Sequence, residues 1–307
     1  MPTRLSAIVR AVVAAAPLVV LVAACGGGAD EGVGWPQGGD AYTFDRPDTS
    51  FALPARLREV SGLTLLDDLH LGAVQDEQGN LYVLHVETGE VVREAGFGRP
   101  GDYEGIERVG DRLFILRSDG ALFEVEGWRA GGDLSTVEHE TGLPGTCDAE
   151  GLGYQAEEAR LLIACKEGAG KKPAFKDLYS FDPATGRMDD EPAYLLDVAA
   201  FNRSVPDDNA VDRWLRDVLQ STVDLSGFKP SALAVHPVTG ELYVLSSVRR
   251  AVVALAPSGE VTAVWPLSEA LLQQPEGLAF LPDGDLFVSS EGGGGDPAVL
   301  LRFDYRP

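Results

Sequence analysis

A chain of 307 residues, 45% of them apolar, is long enough to bury a substantial core. Its 48 Asp and Glu against 25 Lys and Arg give a formal charge of −23, which excludes a basic nucleic-acid footprint and sets the folded body against an anionic membrane surface. Such a surface suits cations or cationic partners, or serves only to solvate the protein.

Arg4 and Arg10 precede an apolar run from Ala11 to Ala24 that is too short, and too poor in large residues, for a membrane span. Residues 1–24 therefore read as an export signal, and without its two arginines the formal charge becomes −25. Leu21-Val22-Ala23-Ala24-Cys25 resembles a bacterial lipobox, which implies acylation of Cys25 and anchoring in the bacterial cell envelope. The plainer alternative is a cleaved secretory signal with an incidental cysteine. Residues 25–40, rich in Gly, Asp and Glu, read as a flexible tether. Export would put Cys147 and Cys165 in an oxidising compartment. The inferred strand register sets Cys165 opposite Glu150 and Cys147 about three residues off, so a disulfide is left open.

From residue 41 to 307 the chain repeats one phrase, a carboxylate and a glycine leading into an apolar strand. The copies are Glu59-Val60-Ser61-Gly62-Leu63, Asp102-Tyr103-Glu104-Gly105-Ile106, Asp148-Ala149-Glu150-Gly151-Leu152, Lys229-Pro230-Ser231-Ala232-Leu233 and Gln274-Pro275-Glu276-Gly277-Leu278. Glu59 to Glu104 is 45 residues, Glu104 to Glu150 is 46, Glu150 to Ser231 is 81 and Ser231 to Glu276 is 45. A period near 45 with several strands per unit predicts a β-propeller, with an insertion of 36 residues after the third unit.

Each unit divides into short apolar runs separated by turn residues, as in the first: Ser61–Leu66, His70–Gln75, Asn80–Val86 and Glu90–Ala95. Four such strands make one antiparallel blade. The fifth unit holds only three, Gly277–Leu281, Asp285–Val288 and Ala298–Phe303, so an N-terminal strand around Tyr42–Arg46 is expected to complete it. The insertion, about residues 199–229, carries Val211, Trp214, Leu215, Val218 and Leu219 at helical spacing behind Asp207-Asp208-Asn209, which predicts a short amphipathic helix. The expected fold is thus all-β: a five-bladed propeller of four-stranded antiparallel blades, closed by an N-terminal strand, with a short helical insertion.

In a propeller the first strand of each blade lies nearest the axis, so Glu59, Glu104, Glu150 and Glu276 are expected to meet at one mouth of the channel. Crowded carboxylates either rise in pKa or share a cation, and an all-oxygen ligand set favours calcium over zinc or copper. The alternative is that each Glu accepts backbone N–H groups from the next blade and stitches the ring. Arg117, Lys166 and Glu291, at the ends of second strands, and Ser231 at the fourth-blade position are expected beside the acids, where the two cations would neutralise them or hold an anionic ligand. Gly96-Phe97-Gly98-Arg99-Pro100-Gly101 is a loop between strands, and Asp283-Gly284-Asp285 a hairpin turn. His70, His85, His139 and His236 show no metal-ligand spacing, and no serine elbow is present.

Glu59 to Leu63, Gly98 to Glu104 leading into Gly110-Asp111-Arg112-Leu113, Asp148 to Gly153 with Leu161 to Lys166, and Pro275 to Phe280 occur in an order that resembles the SdiA-regulated domain family of bacterial envelope proteins. The resemblance covers about residues 41–305. It implies a five-bladed propeller distantly similar to NHL-repeat proteins, and a calcium site. Ser231 departs from the carboxylate phrase, so a ring of acids is incomplete at the fourth blade. The expected function is that of a monomeric, lipid-anchored envelope module that binds calcium and a ligand or partner. The alternative is a metal-dependent hydrolase of an ester, lactone or phosphate, with a glutamate as base and Arg117 or Lys166 stabilising negative charge.

Overall fold

In a computed structural model, which describes residues 41–143, 145, 147–166, 175–197 and 227–307, the repeats form five antiparallel sheets. The export signal, Cys25, the tether and the predicted helix of the insertion lie outside the described residues.

Blade one is Val60–Asp67, His70–Gln75, Asn80–His85 and Val91–Gly96; blade two is Tyr103–Val109, Arg112–Arg117, Ala121–Glu126 and Ser135–Glu140. Blade three runs Ala149–Gln155, Arg160–Cys165 and Phe175–Asp182, and its outer edge is shared by Arg187–Met188 and Tyr194–Asp197, both paired with Phe175–Asp182. Blade four is Ala232–Val235, Leu242–Ser246, Ala251–Leu255 and Val261–Pro266. The second strands are apolar without alternation, as in Leu113-Phe114-Ile115-Leu116, because each blade is covered on both faces by its neighbours. Five apolar clusters result among the described residues, one per blade interface.

Blade five is Gln274–Phe280, Leu286–Glu291 and Val299–Phe303, completed by Thr49–Ala52 from the N-terminal side. Closure by an N-terminal strand is as expected, but the strand is Thr49–Ala52 and not Tyr42–Arg46. Thr49 stands opposite Arg302 and Ala52 opposite Val299. Tyr42 and Phe44 instead enter the core between blades four and five. There the Tyr42 hydroxyl donates to the Gly284 carbonyl at 2.6 Å and lies 2.8 Å from His236 Nε2. His236 Nδ1 accepts the Val238 and Thr239 N–H groups, each at 3.1 Å, so its proton sits on Nε2 and points to Tyr42. Burial holds His236 below the ordinary histidine range, as befits a neutral core residue. Gly284 has φ +100°, a left-handed turn residue in the predicted Asp283-Gly284-Asp285 hairpin.

Cys147 and Cys165 are joined by a disulfide with Cα atoms 5.0 Å apart. Cys165 pairs with Ala149 and not Glu150, because Glu150 is displaced from the ladder by a bulge, and that one-residue difference brings Cys147 within reach.

Candidate functional site

The phrase marks a bulge at the start of the inner strand. The ladder to the second strand shifts register between Val60 and Leu63, Tyr103 and Gly105, Ala149 and Gly151, and Pro275 and Gly277. The glycine after the bulge permits neighbouring inner strands to touch. A Cβ on Gly105 would stand 2.7 Å from Leu152 Cβ of blade three, and one on Gly277 2.6 Å from the Ser61 carbonyl of blade one. The repeats are therefore in phase at the glycine. From Gly62 to Gly105 is only 43 residues, so the residue equivalent to Glu104, Glu150 and Glu276 in blade one is Ser61. Glu59 falls two residues earlier, in a second tier with Asp102, Asp148, Lys229 and Gln274. The inner tier is thus Ser61, Glu104, Glu150, Ser231 and Glu276, three acids and two hydroxyls.

Glu150 and Glu276 are only 4% and 5% exposed, and Ser61 and Ser231 are buried as well. Lys166, from the second strand of blade three, places Nζ 2.7 Å from Glu150 Oε1. Burial pulls Lys166 down, but the Glu150 hydrogen bond and the surrounding acids outweigh it and keep the ammonium charged. Burial pushes Glu150 up to about 7 against the pull of Lys166, with Glu276 and Asp148 adding to the rise. Glu104 is pushed up to about 10, first by burial and then by Glu150, Asp102 and Glu276. Glu276 is also raised by burial, only partly offset by Lys166 and by Gln274, Ser247 and Ser231. Its Oε2 is buried without a hydrogen-bond partner among the described residues, as is Asp76 Oδ1. Around this core, burial and Glu59, Asp102 and Glu77 push Asp76 up to about 6. Burial and Glu276, Asp76 and Glu59 push Glu291 up to about 8.

Of the predicted site residues, Glu104, Glu150, Glu276, Lys166, Ser231 and Glu291 come together, with Glu59 at the rim. Ser231 Oγ donates to the Pro275 carbonyl at 3.4 Å. Arg117 does not join them: its guanidinium is held by Asp119 at 2.9 Å and Glu138 at 3.2 Å and lies over the Phe123 ring. Glu291 also borders a polar cleft of about 350 Å³ with Arg250, Glu269, Gln273 and Gly292. At the acids the channel narrows to a void of about 10 Å³ lined by Glu104, Glu150 and Ser231 on one side and by Leu63, Ile106, Leu152, Leu233 and Leu278 on the other, which has room for one water at most.

The raised carboxyls set a pH dependence. Each binds its proton more tightly in the folded chain than in the unfolded one, where it titrates near about 4 to 4.5. Between that value and its folded value the folded state holds the extra proton, so stability falls as pH rises. Asp119, held down by the Arg117 hydrogen bond, and Asp182, held down by the Ala184 N–H, act in the opposite sense and stabilise less as pH falls below about 4. The ion-free protein is therefore expected to be most stable near about pH 5 and to lose stability up to about pH 10, where Glu104 ionises. Urea midpoints measured in chelator across that range check this, and Glu104→Gln should flatten the slope. A midpoint that rises between pH 5 and 8 would contradict the pKa pattern.

The SdiA-regulated family profile matches residues 51–303, the whole propeller but for its margins. The chain belongs to the SdiA-regulated family. No curated protein matches it. Among solved structures, this chain is similar to the glutaminyl cyclase of Myxococcus xanthus, at 17% identity over 85% of this chain and 97% of that one, with a TM-score of 0.55. It is also similar to the PQQ-bound aldose sugar dehydrogenase of Streptomyces coelicolor, at 12% identity over 84% and 98%, with a TM-score of 0.51. At these identities the likeness is one of fold, a propeller that hosts unrelated chemistries.

Proposed function

We propose that this SdiA-regulated propeller is an exported, lipid-anchored envelope module whose acidic channel mouth binds calcium and presents that face to a ligand or partner. The observation that carries the reading is Glu276, buried with Oε2 unpartnered among the described residues, beside a Glu104 that burial and its acidic neighbours push up to about 10. A cation relieves both penalties at once.

Among the described residues, no three His, Cys, Asp or Glu side chains converge closely enough to hold a metal ion by themselves. The four-glutamate set expected from the sequence does not fit, since Glu59 stands outside the inner tier and Lys166 occupies Glu150. The donor chemistry does fit calcium, whose six to eight ligands include hydroxyl, carbonyl and water oxygens. Glu104 and Glu276, with Ser231 nearby, are the residues that would hold it, and the ion would rigidify the mouth. Hydrolysis has less support, because Arg117 is committed to Asp119 and Glu138.

Export and anchoring rest on Arg4, Arg10 and the Cys25 lipobox, and the Cys147–Cys165 disulfide is in keeping with an oxidising compartment. No described helix is long and apolar enough to cross a membrane, so attachment would fall to the acylated Cys25.

Calcium at about a hundredfold excess over its Kd should raise the Tm of the chelator-treated body by roughly 5–10 °C at pH 8. The gain should shrink at pH 5, where protons occupy the same carboxyls, and vanish in Glu104→Gln with Glu276→Gln. Differential scanning calorimetry with calcium and magnesium checks it. No shift with calcium, or an undiminished one in the double variant, sinks the calcium reading. Turnover of ester, lactone or phosphate substrates that disappears in a still-folded double variant would favour the hydrolase.

A further inference from the structure

The opposite end of the channel holds a second cavity, of about 280 Å³, lined by the far ends of all five inner strands. It follows from the same repeat. Two residues after the glycine of each phrase, or after Ala232 in the fourth, stand Thr64, Glu107, Gly153, Ala234 and Ala279: four small residues and one long acid. Thr64, Ala234 and Ala279 line the cavity with Glu107, the only one of the five that ionises, and blade three contributes Tyr154. Leu63, Val235, Leu278 and Phe280 make most of the remaining wall apolar.

Glu107 is held in place. Its Oε1 accepts the Thr64 hydroxyl at 2.8 Å and the Arg108 N–H at 2.8 Å. The guanidinium of Arg108, also at the cavity, is directed at main-chain carbonyls, with Nε donating to Leu65 at 2.9 Å and Nη1 to Gly110 at 3.2 Å. A ligand with its own positive donor finds a fixed carboxylate there. Burial pushes Glu107 up to about 7, because it outweighs the hydrogen bonds from Thr64, Arg108 and Tyr154 and the Arg108 charge, so a further cationic partner would still favour the carboxylate. A carboxylate fixed by its neighbours in an otherwise apolar pocket is the pattern of a small-molecule site. Leu63 and Leu278 line both this cavity and the void of about 10 Å³ beside Glu104 and Glu150, and so stand between the two ends of the channel.

We propose that the cavity at the far end of the channel is a binding site for a small apolar amine, whose ammonium group pairs with Glu107 and whose hydrocarbon part fills the space between Leu63, Val235 and Phe280. The site does not depend on calcium at the other mouth. A pocket of this size suits a ligand of one ring or a short chain, with affinity on the order of millimolar or tighter.

The test is a ligand-observed NMR titration of the soluble body at pH 7 with cyclohexylamine, and with cyclohexanol as a neutral probe of the same shape. Cyclohexylamine should bind about tenfold tighter than cyclohexanol, the scale of one charge-assisted hydrogen bond. Glu107→Gln keeps an acceptor for Thr64 and the Arg108 N–H and should remove that preference. Val235→Trp, at a half-buried wall position, should abolish binding of both probes, with folding confirmed by Tm. Glu104→Gln with Glu276→Gln should leave the cyclohexylamine affinity unchanged. Equal affinity for the two probes, no binding of either, or a loss that follows Glu104 and Glu276 in place of Glu107 would overturn the proposal. The last outcome would place the amine at the acidic mouth.

Discussion

A chain without residues 41–52 should not fold to a closed ring. Its absence would leave Val299–Phe303 as an open edge, since Thr49–Ala52 is the strand that completes that sheet. It would also remove Tyr42 and Phe44, each 4% exposed. Phe44 lies 4.9 Å from the Phe303 ring and 5.9 Å from that of Trp265, while Tyr42 packs among His236, Tyr243 and Tyr305. Burying two large aromatic side chains contributes roughly 3–6 kcal/mol, before any loss of strand pairing. Net stabilities of about 5–15 kcal/mol leave little beyond that. Phe44→Ala alone should cost about 3–5 kcal/mol. Tyr42→Phe, which strands the Gly284 carbonyl and the His236 N–H, should cost about 1–3 kcal/mol. Urea unfolding of the three variants checks the order, and a wild-type midpoint for the deletion would show that the ring closes by other means.

Reduction of the Cys147–Cys165 bridge should lower stability by about 3 kcal/mol, the loop-entropy value for residues 18 apart. The effect should also reach the site. Cys147 lies three residues before Glu150 and Cys165 directly before Lys166, and the Lys166 N–H donates to the Asp148 carbonyl at 2.7 Å. The bridge thus clamps the two strands that present the Glu150–Lys166 pair. Unfolding midpoints with and without a thiol reductant, repeated in Cys147→Ala with Cys165→Ala, measure the first effect. A calcium midpoint that moves on reduction measures the second. Equal stability of oxidised and reduced protein would show that the bridge only decorates a loop already held by its strands.

Much of the strand pattern was legible because strands with turn residues at a fixed period leave few alternatives. Leu113-Phe114-Ile115-Leu116 and Leu161-Leu162-Ile163-Ala164 could belong only to strands covered on both faces. Tyr42–Arg46 misled because aromatic residues suit a strand and a buried loop equally well. Only pairing with Val299–Phe303 selects Thr49–Ala52. Glu59 misled for a related reason: aligning repeats on the carboxylate looks sound until the bulge shows that the glycine sets the phase. Arg117 and Lys166 looked alike at the ends of second strands, yet Lys166 meets Glu150 whereas Arg117 turns to Asp119 and Glu138. Glu107 carried no signal in the chain, because one acid in an apolar strand acquires meaning only when small residues of other blades, Thr64, Ala234 and Ala279, leave a cavity beside it.

By itself the sequence determined the repeat, the five blades, the family and the acidic character of one channel mouth, because these follow from local periodicity and composition. Tertiary structure alone decided which carboxylates share that mouth, which lysine neutralises one of them, that the cysteines are joined, and that a second cavity opens at the far end. Those outcomes depend on bulges and on contacts between blades far apart in the chain, where a shift of one or two residues exchanges a glutamate for a serine.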